Sequence, residues 1–157
     1  MASSPEAVIR SEWERWSGRP GGKAMFSFLL GRLVPYTGTM GARVEELRPG
    51  YSRVTLQDRR KVRNHLRSIH AIALMNMAEL ATGLALNFGM RADTRSILKG
   101  LSIEYTKKAR GTLTAEATAP VLESNAEREI TVRTDIRDEA GDVVAVAEAR
   151  WLVGPRK

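Results

Sequence analysis

One stretch of the chain, residues 69–86, is apolar on almost every side when it is drawn as a helix. Its interior polar side chains, Asn76, Glu79 and Thr82, are three residues apart, and at about 100° per residue they share one narrow stripe. Such a helix is expected to be buried on nearly every face. Because a buried carboxylate costs free energy unless it is paired or protonated, Glu79 requires an explanation.

The length of this run, about 18 residues, reaches the lower limit for a membrane-spanning helix. His70, Asn76 and Glu79 lie inside it and strand-like sequence follows it, which argues against a membrane span. The better interpretation is a core helix wrapped by a sheet. The chain begins without the charged-then-apolar pattern of a signal sequence, so we expect a cytoplasmic protein with no membrane partner.

The composition suits one globular domain, with 157 residues of which 43% are hydrophobic and 27% charged. The chain has no cysteine and only two histidines, so neither a thiolate nucleophile nor a metal centre is expected. The net charge of +7 favours an anionic partner such as nucleic acid, a membrane surface or coenzyme A. Nucleic acid is not expected, because only 6% of residues are aromatic and no nucleic-acid-binding motif is present.

Local patterns predict the element order ααββ-α-ββββ. Ser4 and Pro5 indicate the start of a helix over residues 5–16, and a second helix over residues 23–34 is predicted to end at Pro35, followed by a turn over residues 35–38. Strands are predicted over residues 40–47, 51–56, 96–107, 111–119, 127–137 and 143–153.

This order predicts an α+β fold in which a curled antiparallel sheet wraps one long central helix. Two extra N-terminal helices, within residues 1–35, would pack on a domain formed by residues 36–157.

Four sequence motifs accompany this order of elements. They are Met40-Gly41-Ala42-Arg43-Val44, Asn64 followed by Ser68-Ile69-His70-Ala71, then Ala78-Glu79-Leu80-Ala81, and finally Glu104-Tyr105-Thr106-Lys107-Lys108-Ala109-Arg110-Gly111. Between about residues 31 and 153 the chain thereby resembles the hotdog fold, and more narrowly the PaaI-like thioesterases, including a branch classed as a domain of unknown function.

The resemblance implies an acyl-CoA thioesterase with no cofactor, in which coenzyme A is part of the substrate. Asn64 would position the thioester or the attacking water, and Glu79 would act as general base or nucleophile. The backbone N–H of Ala71, with His70 beside it, would polarise the thioester carbonyl. The residues implied for the coenzyme A phosphates are Arg63, Arg67, Lys107, Lys108 and Arg110.

Two positions depart from the family pattern. Relatives often carry one or two glycines after the histidine, where this chain has Ala71 and Ile72, and Ile72 is expected to narrow the approach to the helix start. Relatives also often carry proline before Ala-Arg-Gly, where this chain has Lys108. Both departures bear on activity and on substrate size.

Helix geometry predicts how the two halves of such a site meet. Glu79 lies nine residues after His70, which is roughly 13 Å along the axis and half a circle around it. Glu79 therefore cannot serve a carbonyl held at its own helix start. If both groups act in one site, they come from two chains, which predicts a homodimer and leaves a tetramer open. We also expect Thr82 to support Glu79 by a hydrogen bond.

Structural roles are the alternatives at each position. Glu79 could form an ion pair with Arg53 or Arg133, His70 could cap the helix, and Asn64 could stabilise the turn before it. For the whole protein, the alternatives are a non-catalytic acyl or acyl-CoA binding protein and an enoyl-thioester hydratase.

Overall fold

The computed structural model describes residues 4–156. Residues 1–3 and 157, which belong to the predicted N-terminal segment and to the end of the predicted domain, lie outside the described residues. The α-helices are α1 (Pro5–Trp16), α2 (Gly22–Leu33), α3 (Pro35–Met40) and α4 (Ala71–Asn87), and a short 3-10 helix spans Arg60–Val62. The strands are β1 (Arg43–Arg48), β2 (Tyr51–Leu56), β3 (Thr94–Tyr105), β4 (Leu113–Thr118), β5 (Arg128–Arg137) and β6 (Val143–Pro155).

The six strands form one antiparallel sheet in the order β1-β2-β4-β5-β6-β3. Side chains of β5 alternate between the two faces, with Ile130, Val132 and Ile136 buried and Thr131 and Arg133 exposed. Helix α4 packs against all six strands, and none of the helices in residues 4–156 has the length and apolarity needed to cross a bilayer. The predicted α+β architecture, a sheet wrapped around one central helix, is confirmed.

The two edges of the sheet differ in length and chemistry. Strand β1 has six residues and a register shift between Val44 and Glu46, and its charged side chains are Arg43, Glu45, Glu46 and Arg48. Strand β3 has twelve residues. It carries three half-buried apolar side chains that pack against the core, Leu98, Leu101 and Ile103.

The N-terminal helices cover one side of the core. The Ser4 hydroxyl caps α1 by accepting a hydrogen bond from the Ala7 N–H at 3.2 Å. The rings of Trp13 in α1 and Phe26 in α2 meet edge to face at 5.0 Å, and both are buried. Helix α2 ends just before Pro35, as predicted.

The turn predicted over residues 35–38 is wrong, because these residues begin α3. Pro35 occupies a first-turn position of a helix, where its fixed φ is favourable, and Gly41 ends the helix with φ at +67°. The first strand consequently starts at Arg43 rather than at residue 40. The ends of the other elements differ from the predictions by no more than two residues.

Helices α2 and α3 meet at two glycines. A Cβ atom placed on Gly38 would overlap the carbonyl oxygen of Gly31, and one placed on Gly31 would lie 3.0 Å from the Cα of Gly38. This close approach brings α3 into contact with α4, and residues of α3 line a cavity together with Asn76 of the predicted stripe.

Candidate active site

The first turn of α4 presents two unpaired N–H groups. His70 is the N-cap, and its Nδ1 accepts a hydrogen bond from the Ile72 N–H at 3.1 Å, while its carbonyl accepts one from the Leu74 N–H at 3.2 Å. The N–H groups of Ala71 and Ala73 have no acceptor in the described part of the chain. These free donors and the positive end of the helix dipole can stabilise a developing oxyanion. The capping role considered for His70 is confirmed.

Asn64 organises the loop that leads into α4. Its Oδ1 accepts hydrogen bonds from the Leu66 N–H at 2.9 Å, the Ser68 N–H at 3.2 Å and the Ser68 hydroxyl at 3.2 Å. Arg67 in the same loop has φ at +54°. The structure therefore gives Asn64 the turn-stabilising role, and a contact with substrate or water would have to come from Nδ2.

Main-chain hydrogen bonds hold this loop against its neighbours. The Ile69 N–H donates to the Ala109 carbonyl and the His70 N–H donates to the Val62 carbonyl, each at 2.8 Å. Ile69 is thereby part of an extended segment and not of the helix, which explains why α4 begins at Ala71 rather than at residue 69.

Asp58 ties the same region together through its side chain. It accepts hydrogen bonds from Arg63 Nε at 2.6 Å and from the Gly111 N–H at 3.2 Å. The hydrogen bond from Arg63 is the main reason that the pKa of Asp58 lies below its usual value. Arg63, a predicted phosphate ligand, is therefore already paired with a carboxylate.

Tyr105, which was not predicted as a site residue, fixes the start of α4 to the sheet. Its hydroxyl donates a hydrogen bond to the Ala71 carbonyl at 3.0 Å. Burial raises the pKa of Tyr105, so the hydroxyl keeps its proton at neutral pH. The residue lies in the 104–111 motif, but nothing in that motif alone indicates that it reaches the helix.

Glu79 is half-buried and lines a cavity of about 150 Å³ between α4 and the N-terminal helices. It forms no ion pair within residues 4–156. Arg53 pairs with Glu46 at 3.5 Å and Arg133 pairs with Asp135 at 3.3 Å, so the alternative of an ion pair between Glu79 and either arginine is wrong. The cavity is otherwise lined mainly by apolar side chains, which include Ile9, Leu30, Val34, Leu80, Leu84, Phe88 and Trp151.

The expected hydrogen bond from Thr82 to the Glu79 carboxylate is absent. The Thr82 hydroxyl is fully buried and lies 2.9 Å from the main-chain carbonyl of Ala78 and 3.2 Å from that of Glu79. A helical threonine commonly donates to the carbonyl four residues earlier. Thr82 therefore supports the backbone of α4 and leaves the Glu79 carboxylate without this partner.

A second cavity, of about 250 Å³, lies beside the start of α4. It is lined by Tyr36, Thr39, Met40, Lys61, Val62, Arg63, His70, Ile72, Ala73 and Asn76. None of these residues lines the cavity at Glu79. Within one chain, then, the structure does not bring Glu79 and the helix start into one site.

The predicted phosphate ligands differ in their surroundings. Lys107 lies between Asp138 and Asp142, at 2.6 and 2.7 Å from their carboxylate oxygens, and these contacts raise its pKa. Lys108 and Arg110 are exposed on either side of Ala109, whose carbonyl is bonded to the loop before α4. Together with exposed Arg67 they give the rim of the helix start a positive charge.

Several known proteins are similar to the chain. The model of the family described as Domain of unknown function (DUF4442) matches residues 22–153. A structural-genomics target of known crystal structure is 32% identical, over 96% of this chain and 100% of its own, with a TM-score of 0.83. No functionally curated protein shows a significant match.

Two further structures come from proteins with more informative descriptions. A Pseudomonas aeruginosa protein of unknown function, described as a probable thioesterase, is 26% identical over 88% of this chain and 97% of its own, with a TM-score of 0.77. The phenylacetic acid degradation protein PaaI of Thermus thermophilus, in a mutant form, is 22% identical over 75% of this chain and 97% of its own, with a TM-score of 0.64, a likeness in fold. The chain therefore belongs to the family described as Domain of unknown function (DUF4442), and it shares the hotdog fold of the PaaI protein.

Proposed function

We propose that this protein hydrolyses an acyl thioester, with acyl-CoA as the substrate class. The observation that carries the proposal is the pair of unpartnered N–H groups on Ala71 and Ala73 at the start of α4. A thioester carbonyl oxygen held there becomes negative when the carbonyl is attacked, and two fixed donors stabilise that charge. The description of the Pseudomonas aeruginosa relative as a probable thioesterase supports the same reaction class.

The proposed site lies between two copies of the chain. Glu79 and the helix start line separate cavities within one chain, so the carboxylate that acts on a carbonyl at Ala71 would be the partner's Glu79. The open edge of β3 supports this arrangement, because a long edge strand with half-buried apolar side chains favours pairing with another strand. Antiparallel pairing of β3 with its copy would continue the sheet across a two-fold axis.

In the proposed reaction, the partner's Glu79 removes a proton from water while the water oxygen bonds to the carbonyl carbon. The N–H groups of Ala71 and Ala73 hold the oxyanion of the tetrahedral intermediate. The carbon–sulfur bond then breaks, and the proton carried by the glutamic acid passes to the departing thiolate. The products are a carboxylic acid and a thiol. Exposed Arg67, Lys108 and Arg110 would contact the phosphates of coenzyme A.

The first test is thiol release from acyl-CoAs with chains of two to eighteen carbons and from aryl-CoAs. Glu79→Gln keeps the size of the side chain but removes the base, so hydrolysis should fall by about a hundredfold or more. Glu123→Gln is the matched control, because Glu123 is exposed in the loop between β4 and β5 and should hydrolyse at the wild-type rate. Equal activity of wild type and Glu79→Gln would contradict the assignment of the base.

A non-catalytic acyl-CoA binding protein is the second candidate. Ile72 favours it, because this side chain is 52% exposed at the helix start, where relatives often have glycine. Acyl-CoA binding without thiol release by the wild-type protein would support this candidate and overturn the hydrolase proposal. Ile72→Gly would then test whether the side chain blocks the approach of water or thioester to the N–H groups.

A further inference from the structure

We propose that the cavity of about 250 Å³ beside the start of α4 is a specificity subsite, in which Asn76 binds a neutral hydrogen-bonding group of the thioester. This inference rests on the proposed thioesterase function and adds a substrate feature to it. Asn76 is the one interior polar residue of the α4 stripe that lines this cavity. Like Glu79 and Thr82, it is a polar residue within an otherwise apolar helix. Neither the proposed catalytic step nor the packing of the helix accounts for its presence.

The side chain of Asn76 is buried but unpaired. The residue is only 7% exposed, and its Oδ1 has no hydrogen-bond partner within the described residues. Native proteins pair nearly all buried polar atoms, because an unpaired one costs free energy. If this side chain served only to fill space, an apolar residue of similar shape would make the folded protein more stable. A ligand group that enters the cavity and pairs with Asn76 explains why an asparagine is present.

Neighbouring polar groups of the cavity do not supply that partner. The Thr39 hydroxyl donates to the Tyr36 carbonyl at 2.6 Å. The Nδ1 atom of His70 is engaged by the Ile72 N–H, and Arg63 Nε is engaged by Asp58. The carboxamide of Asn76 therefore remains available to a ligand, to which it offers both a donor and an acceptor.

The position of Asn76 along the helix limits where the ligand group lies. Asn76 follows Ala71 by five residues, which is roughly 7.5 Å along the axis. Ala73, which carries one of the two free N–H groups, precedes Asn76 by three residues and lines the same cavity. A partner group on the substrate would therefore be only a few bonds from the thioester carbonyl.

Two parts of a thioester carry such a group at that separation. One is a hydroxyl on the acyl chain close to the carbonyl, and the other is the amide N–H of the carrier arm, two methylenes from the sulfur. The hydroxyl both donates and accepts, and the arm amide donates through its N–H and accepts through its C=O, so either group would pair with the carboxamide.

Four thioesters distinguish these sources. Butyryl and 3-hydroxybutyryl groups are each attached to N-acetylcysteamine, which carries the arm amide, and to butanethiol, which lacks it. The measurement is kcat/KM for wild type and for Asn76→Leu, which keeps the branched shape of the side chain but cannot form hydrogen bonds. We expect Asn76→Leu to reduce the preference in kcat/KM either for the substrates with the acyl hydroxyl or for those with the arm amide. The reduction should be about 10–100-fold, the effect of losing a buried hydrogen bond.

If the preference for 3-hydroxybutyryl over butyryl falls, Asn76 binds the acyl hydroxyl. If the preference for N-acetylcysteamine over butanethiol falls, Asn76 binds the amide of the carrier arm. Unchanged ratios in both pairs would overturn the proposal. Asn76→Ser, whose hydroxyl can still donate and accept a hydrogen bond, provides a second variant if Asn76→Leu fails to fold, and it should keep part of the preference.

Binding of the matching thioethers, which cannot be hydrolysed, separates this inference from the proposed function. If wild type hydrolyses no thioester, the hydrolase proposal fails. The effect of Asn76→Leu on the thioether dissociation constants then still decides the subsite, and equal constants for wild type and variant would overturn it.

Discussion

His70 uses one ring nitrogen to hold the main chain of α4. Because Nδ1 accepts the Ile72 N–H, the proton of the neutral ring is on Nε2, which can only donate. A histidine held in this way is poorly suited to remove a proton from substrate. Its contribution to the site is to fix the first turn of the helix, where the N–H groups of Ala71 and Ala73 are free.

Replacing His70 should therefore lower the stability of the protein more than it changes the rate of thiol release. We expect His70→Ala to lower the free energy of unfolding by about 1 kcal/mol, the usual cost of losing an N-cap, whereas His70→Asn should retain most of it. Urea unfolding measures both. His70→Asn should also retain thiol release, and a loss of more than about tenfold in a stably folded variant would assign His70 a chemical role.

The sequence identifies many residues of the candidate site, but their hydrogen-bond partners depend on the folded structure. The predicted positions of Glu79 and His70 on the central helix follow from the motif and from helical spacing. Lys107 meets Asp138 and Asp142 only through the register of the sheet, which no local pattern encodes. Tyr105 was missed for the same reason, because its contact with Ala71 joins residues 34 positions apart.

Helix α3 shows where element prediction failed. Its sequence, Pro35-Tyr36-Thr37-Gly38-Thr39-Met40, has two threonines and a glycine, residues with low helix propensity. The helix forms because Pro35 starts it and because Gly38 packs against Gly31 of α2. By contrast, α4 was predicted almost in full, because its apolar pattern is continuous and long.

The contact between α2 and α3 predicts that a larger residue at Gly38 destabilises the protein. An alanine normally favours a helix over glycine by about 1 kcal/mol, but the new methyl group would overlap the Gly31 carbonyl. We expect Gly38→Ala to destabilise the protein by about 1–3 kcal/mol, the usual range for overpacking. Thermal and urea unfolding measure the change.

Gly18→Ala is the control for that substitution. No atom lies within 4 Å of a Cβ placed at Gly18, so stability should change little. A Gly38→Ala protein as stable as wild type would show that α3 can move away from α2 without cost.

At the scale of the whole molecule, the order of the elements was predictable but the order of strands in the sheet was not. Each predicted strand is present, since alternation of buried and exposed residues is a local property. Strand β3, however, pairs with β6 at the far end of the chain and so becomes an edge. That placement decides which surface is open to a partner.

A charge on the inner side of the β3 edge should separate the proposed dimer. Ile103 is half-buried there and packs against the core. In the proposed dimer, Ile103→Lys would bury the lysine ammonium, which is unfavourable without an opposite charge beside it. In the monomer, the same ammonium group would reach water. Analytical ultracentrifugation should then detect a monomer, and thiol release should fall to background because the proposed site needs two chains.

Val121→Lys adds the same charge at an exposed loop position and should leave both mass and activity as in wild type. Circular dichroism of Ile103→Lys provides the check on folding. A dimeric and active Ile103→Lys protein would contradict pairing through β3.

The short, charged and irregular β1 edge has a consequence for assembly. A sheet in which both edge strands can pair with another copy can grow without limit into a ribbon. A sheet in which only one edge strand can pair has no free edge left after a single pairing. The bulge and the charged side chains of β1 leave only β3 suited to strand addition. If β3 pairs as proposed, growth of the sheet would stop at two copies, and any larger complex would have to be built through a different surface.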